Sequence, residues 1–367
     1  MTLQLYLLRQ LLISVSFALA GLGFLVLPAI TVQAVHKLEG AGLEAVGSYV
    51  PLVLAELVPY LGPIAFLLGV VATFGRLAAD NEWTAIRMAG VHPLRSLLPG
   101  LVLAALGAAG THYLLATVAP EWKYAQRTFL RDSEMEAFKT LGQGRTQFSV
   151  GKFFVDASRR NGSEFYEVVL GVPLEGEDDE AEPETLIVVA DAIKIDFPAD
   201  KRVMEIFFQN ARTLRDDQVL SMESPFLRLS LDDLVSKKRK NKDVPKYLTN
   251  ETMTRRLAGD VMPGEETPVG EKRQLYRYEI QRRRALSCTY FLFLLLGTAT
   301  GLMLRAGTQL SAMAVSIGYA FLYYVFSMRF GKGLVEAGLV PPEVAAWATN
   351  GLYLAVALVM VRKVLWR

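Results

Sequence analysis

Apolar residues form six long stretches along the chain, three near each end. Each stretch is almost free of charged residues and contains about the 17–25 residues that a helix needs to cross roughly 30 Å of hydrocarbon. A backbone in lipid must satisfy its own hydrogen bonds, so stretches of this length indicate helices. We therefore predict six membrane-spanning helices, over residues 11–35, 57–75, 96–120, 285–304, 306–328 and 344–361.

The segment between the third and fourth stretches has a different pattern. It is rich in charged side chains, and apolar residues alternate with polar ones over residues 146–156, 164–170, 185–197 and 203–214. Alternation with β-branched and aromatic residues is typical of strands that bury one face. The sequence therefore predicts an inserted, antiparallel all-β domain. The three predicted regions are membrane helices 1–3 over 1–120, the β domain over 121–280 and membrane helices 4–6 over 281–367.

Composition and charge narrow the function classes. The 367 residues are 52% hydrophobic and 21% charged, which excludes intrinsic disorder and disfavours a purely soluble protein. A net charge of +2 does not suggest a nucleic-acid-binding protein. The acidic run 175–184 is expected in a solvated hairpin loop, and the basic run 237–242 either in a solvated turn or against an anionic lipid or partner.

The sequence offers little for catalysis. A single cysteine, Cys288, excludes an intramolecular disulfide and a multi-cysteine zinc site, and the three histidines lie far apart. The run Gly331-Lys332-Gly333 lacks the spacing of a phosphate-binding loop, so ATP hydrolysis is not expected on this chain. We predict no catalytic residue, no metal site and no cofactor.

The basic residues predict the orientation in the membrane. With both termini in the cytoplasm, the short inner segments carry eight basic residues and the short outer loops three, as the positive-inside rule requires. The inner residues are Arg9, Arg76, Arg87, Arg95, Arg305, Arg362, Lys363 and Arg367; the outer ones are Lys37, Arg329 and Lys332. The β domain is then extracytoplasmic. Arg282–Arg284 do not fit this rule, because they would lie at the outer end of the fourth span. They would have to neutralise Glu279 and interact with lipid headgroups, or bind an anionic ligand.

The loop between the second and third spans predicts a short helix along the cytoplasmic face, at about 78–92. Asp80 or Asn81 can cap its start, and Glu82 lies in the first turn, where the helix dipole favours a negative charge. Trp83 and Ile86 form an apolar stripe, and Gly90 ends the helix. This helix is either an interfacial connector or a docking element for a cytoplasmic partner.

The same loop carries a resemblance to a known family. The chain resembles the LptF/LptG (YjgP/YjgQ) permeases in several short segments. They are residues 66–69, 74–77, Glu82 and 88–90 around this loop, and residues 279–284 and 330–333 later in the chain. These are membrane subunits of the ABC transporter that extracts lipopolysaccharide from the bacterial inner membrane. The resemblance covers nearly the whole chain, and it implies that the inserted domain is a periplasmic β-jellyroll.

The resemblance also implies partners and site residues. The short helix would be the coupling helix that fits a cytoplasmic LptB-like ATPase dimer, which binds the ATP and magnesium. Glu82 matches the family's acidic contact and Arg76 its basic motif residue, whereas Asp80-Asn81 departs from the family's usual residues. Further partners would be a second LptF/LptG-type permease, LptC/LptA-like bridge proteins and lipopolysaccharide. The predicted coupling residues are Arg76, Asp80, Glu82, Trp83, Ile86, Arg87 and Gly90.

Cations at the outer ends of the spans are candidates for lipid contact, because phosphates of a lipid headgroup attract Lys and Arg. The candidates are His36, Lys37, Arg282, Arg283, Arg284, Arg329 and Lys332. Each could instead reach ordinary phospholipid headgroups. Glu56, alone in an apolar stretch, is expected to face a partner helix or a cavity, in a structural role. The alternative to a permease is a membrane-anchored receptor or assembly scaffold with a ligand-binding β domain.

Overall fold

The computed structural model describes residues 3–38, 43–140, 146–150, 153–161, 164–173, 185–196, 203–215, 218–221, 226–230, 244–262, 267–304 and 309–365. The chain divides into two compact units. One comprises Met1–Ile30, Leu52–Lys123 and Asp243–Arg367; the other comprises Thr31–Pro51 and Tyr124–Lys242. The charged runs 175–184 and 237–242 lie outside the described residues, as do Arg305 and Arg367.

Six helices in the described part of the chain are long and apolar enough to cross a membrane, which confirms the prediction. The helices are α1 (Leu3–Lys37), α2 (Leu43–Ala79), α3 (Glu82–Met88), α4 (Pro93–Tyr113), α5 (Ala119–Thr140), α6 (Asn250–Leu257), α7 (Gly270–Met303), α8 (Gln309–Val325), α9 (Gly331–Glu336) and α10 (Pro342–Leu365). The spans are α1, α2, α4 continued by α5, α7, α8 continued by α9, and α10. Several extend well past their apolar stretches: α2 has 37 residues and α7 has 34, because polar residues continue the helix at its ends.

Two spans contain a π-helical turn that the sequence pattern did not predict. Leu114–Val118 joins α4 to α5, and Phe326–Phe330 joins α8 to α9. A π turn has hydrogen bonds that span one more residue than those of an α-helix; such turns are rare and are frequently found at functional sites.

Small residues and polar side chains hold the helical unit together. At Gly301 of α7 an added Cβ would lie 2.8 Å from the Gly75 nitrogen and 2.9 Å from the Val71 carbonyl oxygen of α2, so the two backbones approach closely. Tyr323 of α8 accepts a hydrogen bond from Thr289 of α7 at 2.8 Å and donates one to Asn350 of α10 at 2.6 Å. Spans four, five and six are therefore joined by buried hydrogen bonds.

The second unit contains an antiparallel sheet between the third and fourth spans, as predicted. Its strands are β1 (Gln147–Val150), β2 (Phe153–Asn161), β3 (Glu164–Pro173), β4 (Thr185–Asp196), β5 (Val203–Gln209), β6 (Arg212–Arg215), β7 (Gln218–Ser221) and β8 (Phe226–Ser230). Six strands lie in the order β1-β2-β3-β4-β5-β8, while β6 pairs with the other half of β4 and β7 pairs with β6. In the described strands the sheet is open and is not closed into a barrel.

The period-two pattern explains which face of the sheet is buried. Val168 and Leu170 of β3 and Val188 and Ala190 of β4 are buried in one apolar cluster, whereas Val189 between them is partly exposed. Successive side chains of a strand point to opposite faces, so this alternation fixes the register of the pairs. Val169, for example, lies opposite Val189.

Candidate functional site

Helix α3 is attached to the helical unit by its first two residues. The Trp83 side chain is only 7% exposed and packs edge-on against Phe74 of α2, with ring centroids 6.0 Å apart. The Glu82 carboxylate accepts a hydrogen bond from the Tyr6 hydroxyl of α1 at 2.8 Å. The apolar stripe predicted for this helix therefore faces the protein's own bundle, and Ile86 on the same stripe is half-buried.

The start of α3 differs from the predicted cap. Asn81 precedes the helix in a left-handed conformation with φ of 59°, and its side chain makes no capping hydrogen bond. Asp80 ends the preceding turn and is exposed. The helix stops at Met88, and Gly90 follows with φ of 78°, the conformation that favours glycine at the end of a helix.

The face of α3 opposite Trp83 is exposed: it carries Ala85 and Met88, and Met88 is 79% exposed. Thr84 and Arg87, which flank Trp83 on the helix, are exposed as well. A groove of about 590 Å³ runs along α3, between the ends of α2, α7 and α10. Its lining, in the described part of the chain, consists of Ala78, Trp83, Thr84, Arg87, Met88, Leu302, Met303 and Val364.

The residues next to α3 make this end of the helical unit basic. Arg76 is exposed, and its guanidinium donates a hydrogen bond to the Gln10 side chain of α1. Arg95, in the first turn of α4, is exposed, and its carbonyl oxygen accepts a hydrogen bond from Gln4 at 2.8 Å. Arg76, Arg87 and Arg95 thus place three exposed positive charges on and next to α3 in the chain, against one exposed carboxylate, Asp80, and this excess suits a partner whose surface carries carboxylates.

At the opposite end of α7, two of the predicted lipid contacts are bound within the chain. Glu279 forms ion pairs with Arg282 at 2.8 Å and with Arg283 at 2.9 Å. Arg283 is 2% exposed, and it donates further hydrogen bonds to the carbonyl oxygens of Pro245 and Leu248 and to the Asn250 side chain. Its donors are directed at the segment before α6, so Arg283 is a structural residue that fixes this segment to α7. Its neighbour Arg284 is exposed.

The remaining predicted lipid contacts are exposed. Arg329 lies in the π turn of the fifth span, and Lys332, one turn later, forms an ion pair with Glu336 at 2.9 Å. His36 and Lys37 are exposed at the end of α1 and belong to the unit that contains the sheet.

Two partners of charged residues could not be found from the sequence. Glu56 forms an ion pair with Lys123 at 3.4 Å, in agreement with the structural role expected for it. Lys123 also donates a hydrogen bond to the Tyr60 hydroxyl at 3.4 Å. The second partner that the sequence could not reveal is Tyr6, whose hydroxyl donates a hydrogen bond to the Glu82 carboxylate. A lone acid in an apolar helix signals that a partner exists, but the partner's position depends on helix packing.

The described residues contain no group of three or more His, Cys, Asp or Glu that could hold a metal ion. Comparison with known proteins gives one informative result. The family model described as lipopolysaccharide export system permease LptF/LptG matches residues 5–363, nearly the whole chain. No curated protein matches the chain significantly.

Proposed function

Because the chain belongs to the LptF/LptG family of lipopolysaccharide export permeases, we propose that it is a non-catalytic permease subunit of an ABC transporter in the bacterial inner membrane. A separate LptB-like ATPase dimer supplies the energy, with ATP and magnesium bound there. A second permease of the same type completes the membrane part, and LptC/LptA-like bridge proteins receive the lipopolysaccharide. We place both termini and α3 in the cytoplasm, and the residues between the third and fourth spans in the periplasm.

One observation carries the coupling role of α3: the helix is fixed to the bundle on one face and exposed on the other. Trp83 and Glu82 connect it to α2 and α1, whereas Arg87 and Met88 remain accessible beside the groove. A helix that only connects two spans needs to be attached to the bundle, but it does not need an exposed face. A helix that receives force from a partner needs both, because its exposed face binds the partner and its buried face transmits the movement.

The mechanism that follows is mechanical. When the ATPase dimer closes, it moves α3, and Trp83 carries the movement to Phe74 of α2 while Glu82 carries it to Tyr6 of α1. Movement of the first two spans changes the space between the two permeases, and the lipid leaves it towards the periplasmic sheet. The chain's contribution is transmission and lipid contact, without a chemical step of its own.

The exposed face provides the test. Met88→Glu and Arg87→Glu should each abolish co-purification of the ATPase subunit, identified by mass spectrometry and by ATP hydrolysis. Lipopolysaccharide export in a strain depleted of the native gene should fail with them. Arg277→Glu is the matched control, because Arg277 is equally exposed at the other end of α7.

Two outcomes would contradict the proposal. Retention of the ATPase by both Met88→Glu and Arg87→Glu would show that the exposed part of α3 is not the docking surface. If the chain co-purified with a periplasmic ligand and never with an ATPase, the receptor or scaffold function would replace the permease.

A further inference from the structure

The fifth span changes its helical type near the end that carries two exposed cations. It is α-helical over Gln309–Val325, π-helical over Phe326–Phe330 and α-helical again over Gly331–Glu336. A π turn is intrinsically less favourable than an α turn, and it leaves backbone groups displaced from their usual partners. Its presence within a membrane span therefore needs a local cause.

A tyrosine of the fourth span contacts this turn. The buried Tyr278 hydroxyl of α7 donates a hydrogen bond to the carbonyl oxygen of Ser327, inside the π turn, at 3.1 Å. The ring lies in a small apolar cluster with Val335 of α9 and Ala345 of α10. Tyr278 thus supplies a donor to the π turn from a site that the surrounding helices fix.

Gly331 permits this contact. A Cβ at Gly331 would lie 2.5 Å from the Tyr278 hydroxyl oxygen, closer than real Cβ atoms approach, and 3.2 Å from the Ala345 carbonyl oxygen, which is a tight contact. Gly333, two residues later, has open space around its Cβ position, so packing does not require a glycine there. What Gly333 contributes is low helix propensity, which weakens the short helix that follows the π turn.

We propose that the π turn at Phe326–Phe330 is a two-state element, held in its π form by Tyr278, which is thereby a positioning residue for Arg329 and Lys332. When the hydroxyl is lost, the turn rewinds as an α-helix and the following residues shift by one helical position. One position corresponds to a rotation of about 100° and a translation of about 1.5 Å.

The rotation would present the exposed cations to a different sector of the membrane. Arg329 and Lys332 are both exposed, and the ion pair of Lys332 with Glu336 lies within one short helix, so it survives the rotation. The change from a π turn to an α turn would therefore move the two positive charges to another side of the helix without breaking the ion pair between Lys332 and Glu336. This inference goes beyond the proposed function, because it concerns a register change within one span and does not depend on the transported molecule.

A nitroxide scan of the exposed residues 332–334, 336 and 337 tests the proposal, because a label at Gly331 or at the buried Val335 would itself disturb the contact with Tyr278. The full chain, with Cys288→Ser, is labelled at one introduced cysteine at a time, reconstituted in nanodiscs and measured for accessibility to oxygen. The wild-type profile should be periodic along the helix. Tyr278→Phe should shift its phase by one residue in a fraction of molecules, with the ratio of shifted to unshifted form rising about three- to tenfold, the effect of one buried hydrogen bond between membrane helices.

A second variant and two matched controls keep the test decisive. Gly331→Ala should produce the same phase shift, because its methyl group cannot fit beside the Tyr278 hydroxyl. Gly333→Ala should leave the phase unchanged. Tyr353→Phe removes a comparable bond, from the Tyr353 hydroxyl to the Tyr319 carbonyl oxygen at 2.9 Å in the α-helical part of the span, and should also leave it unchanged.

An unshifted profile in both Tyr278→Phe and Gly331→Ala would overturn the proposal. The same shift in Tyr353→Phe would overturn it as well, because any weakened contact would then suffice. Loss of periodicity would mean that the segment unfolds rather than changes register, which also contradicts a two-state turn. Since the scan reads structure, failure of export or of ATPase binding would leave its result standing.

Discussion

Removing the Trp83 side chain should detach α3 from the helical unit. A seven-residue helix is not stable in water by itself, so its order comes from its contacts with the bundle. Trp83 is 7% exposed and lies against Phe74, and deleting a buried Trp side chain costs about 3–5 kcal/mol. At 1.36 kcal/mol per tenfold change, the local opening equilibrium of α3 should rise by about 10²–10⁴-fold in Trp83→Ala.

Hydrogen exchange measures this opening. In the folded protein the backbone amides of Ala85 and Ala89 donate to the carbonyl oxygens of Asn81 and Ala85, the bonds that close the turns of α3, so they are protected in proportion to the opening equilibrium. In Trp83→Ala their exchange in nanodiscs should accelerate by the same ~10²–10⁴-fold. Trp347→Ala, at a partly exposed Trp, should leave α3 unchanged.

The coupling hypothesis adds a second readout to the same variant. The exposed residues of α3 are still present in Trp83→Ala, so the ATPase should bind, although more weakly. Transmission to α2 is lost, so ATP hydrolysis should continue while export of lipopolysaccharide falls. Unchanged exchange in α3, or export in normal proportion to ATP hydrolysis, would refute the reasoning that Trp83 is the mechanical link.

Three further predictions concern stability and are measured by thermal unfolding in detergent. Arg283→Ala should destabilise the chain by about 3–5 kcal/mol, because it leaves Glu279 buried without one of its partners, whereas the exposed Arg284→Ala should change stability by less than ~0.5 kcal/mol; equal effects would contradict the structural role. Gly301→Ala should lower the melting temperature by separating α2 from α7, whereas Gly351→Ala, with open space at its Cβ, should not. Lys123→Met should destabilise by about 1–3 kcal/mol through the unpaired Glu56, and Lys123→Arg should restore most of the loss.

The sequence predicted the elements whose signal is local. Six spans follow from length and hydropathy, and the sheet follows from alternation such as Val188 buried beside Val189 exposed. A stripe at Trp83 and Ile86 also predicted an amphipathic helix, but the stripe alone could not tell whether it faced a partner or the chain itself. Trp83 packs on Phe74, nine residues earlier, because the turn at Asp80-Asn81 folds α3 back against the end of α2.

Features that depend on long-range packing were not predictable. Tyr6 and Glu82 are 76 residues apart in sequence, and no periodicity connects them. The π turn at Phe326–Phe330 likewise has no local signature, because the residue that holds it, Tyr278, lies 49 residues before Ser327. Glu279 is the exception: its spacing of three and four residues from Arg282 and Arg283 already suggested that it balances them.

The burial of the outer cations decides which of them can meet a lipid phosphate. A guanidinium that is 2% exposed and already bound to three carbonyl or amide oxygens would have to break those bonds before it could bind a headgroup, so Arg283 is excluded from lipid contact. Arg282 is committed to Glu279 through two hydrogen bonds of 2.8 and 2.9 Å. Arg284, Arg329 and Lys332 are exposed, so they would not have to break buried hydrogen bonds to bind a phosphate. Within the helical unit, these three are therefore the first candidates for headgroup contact.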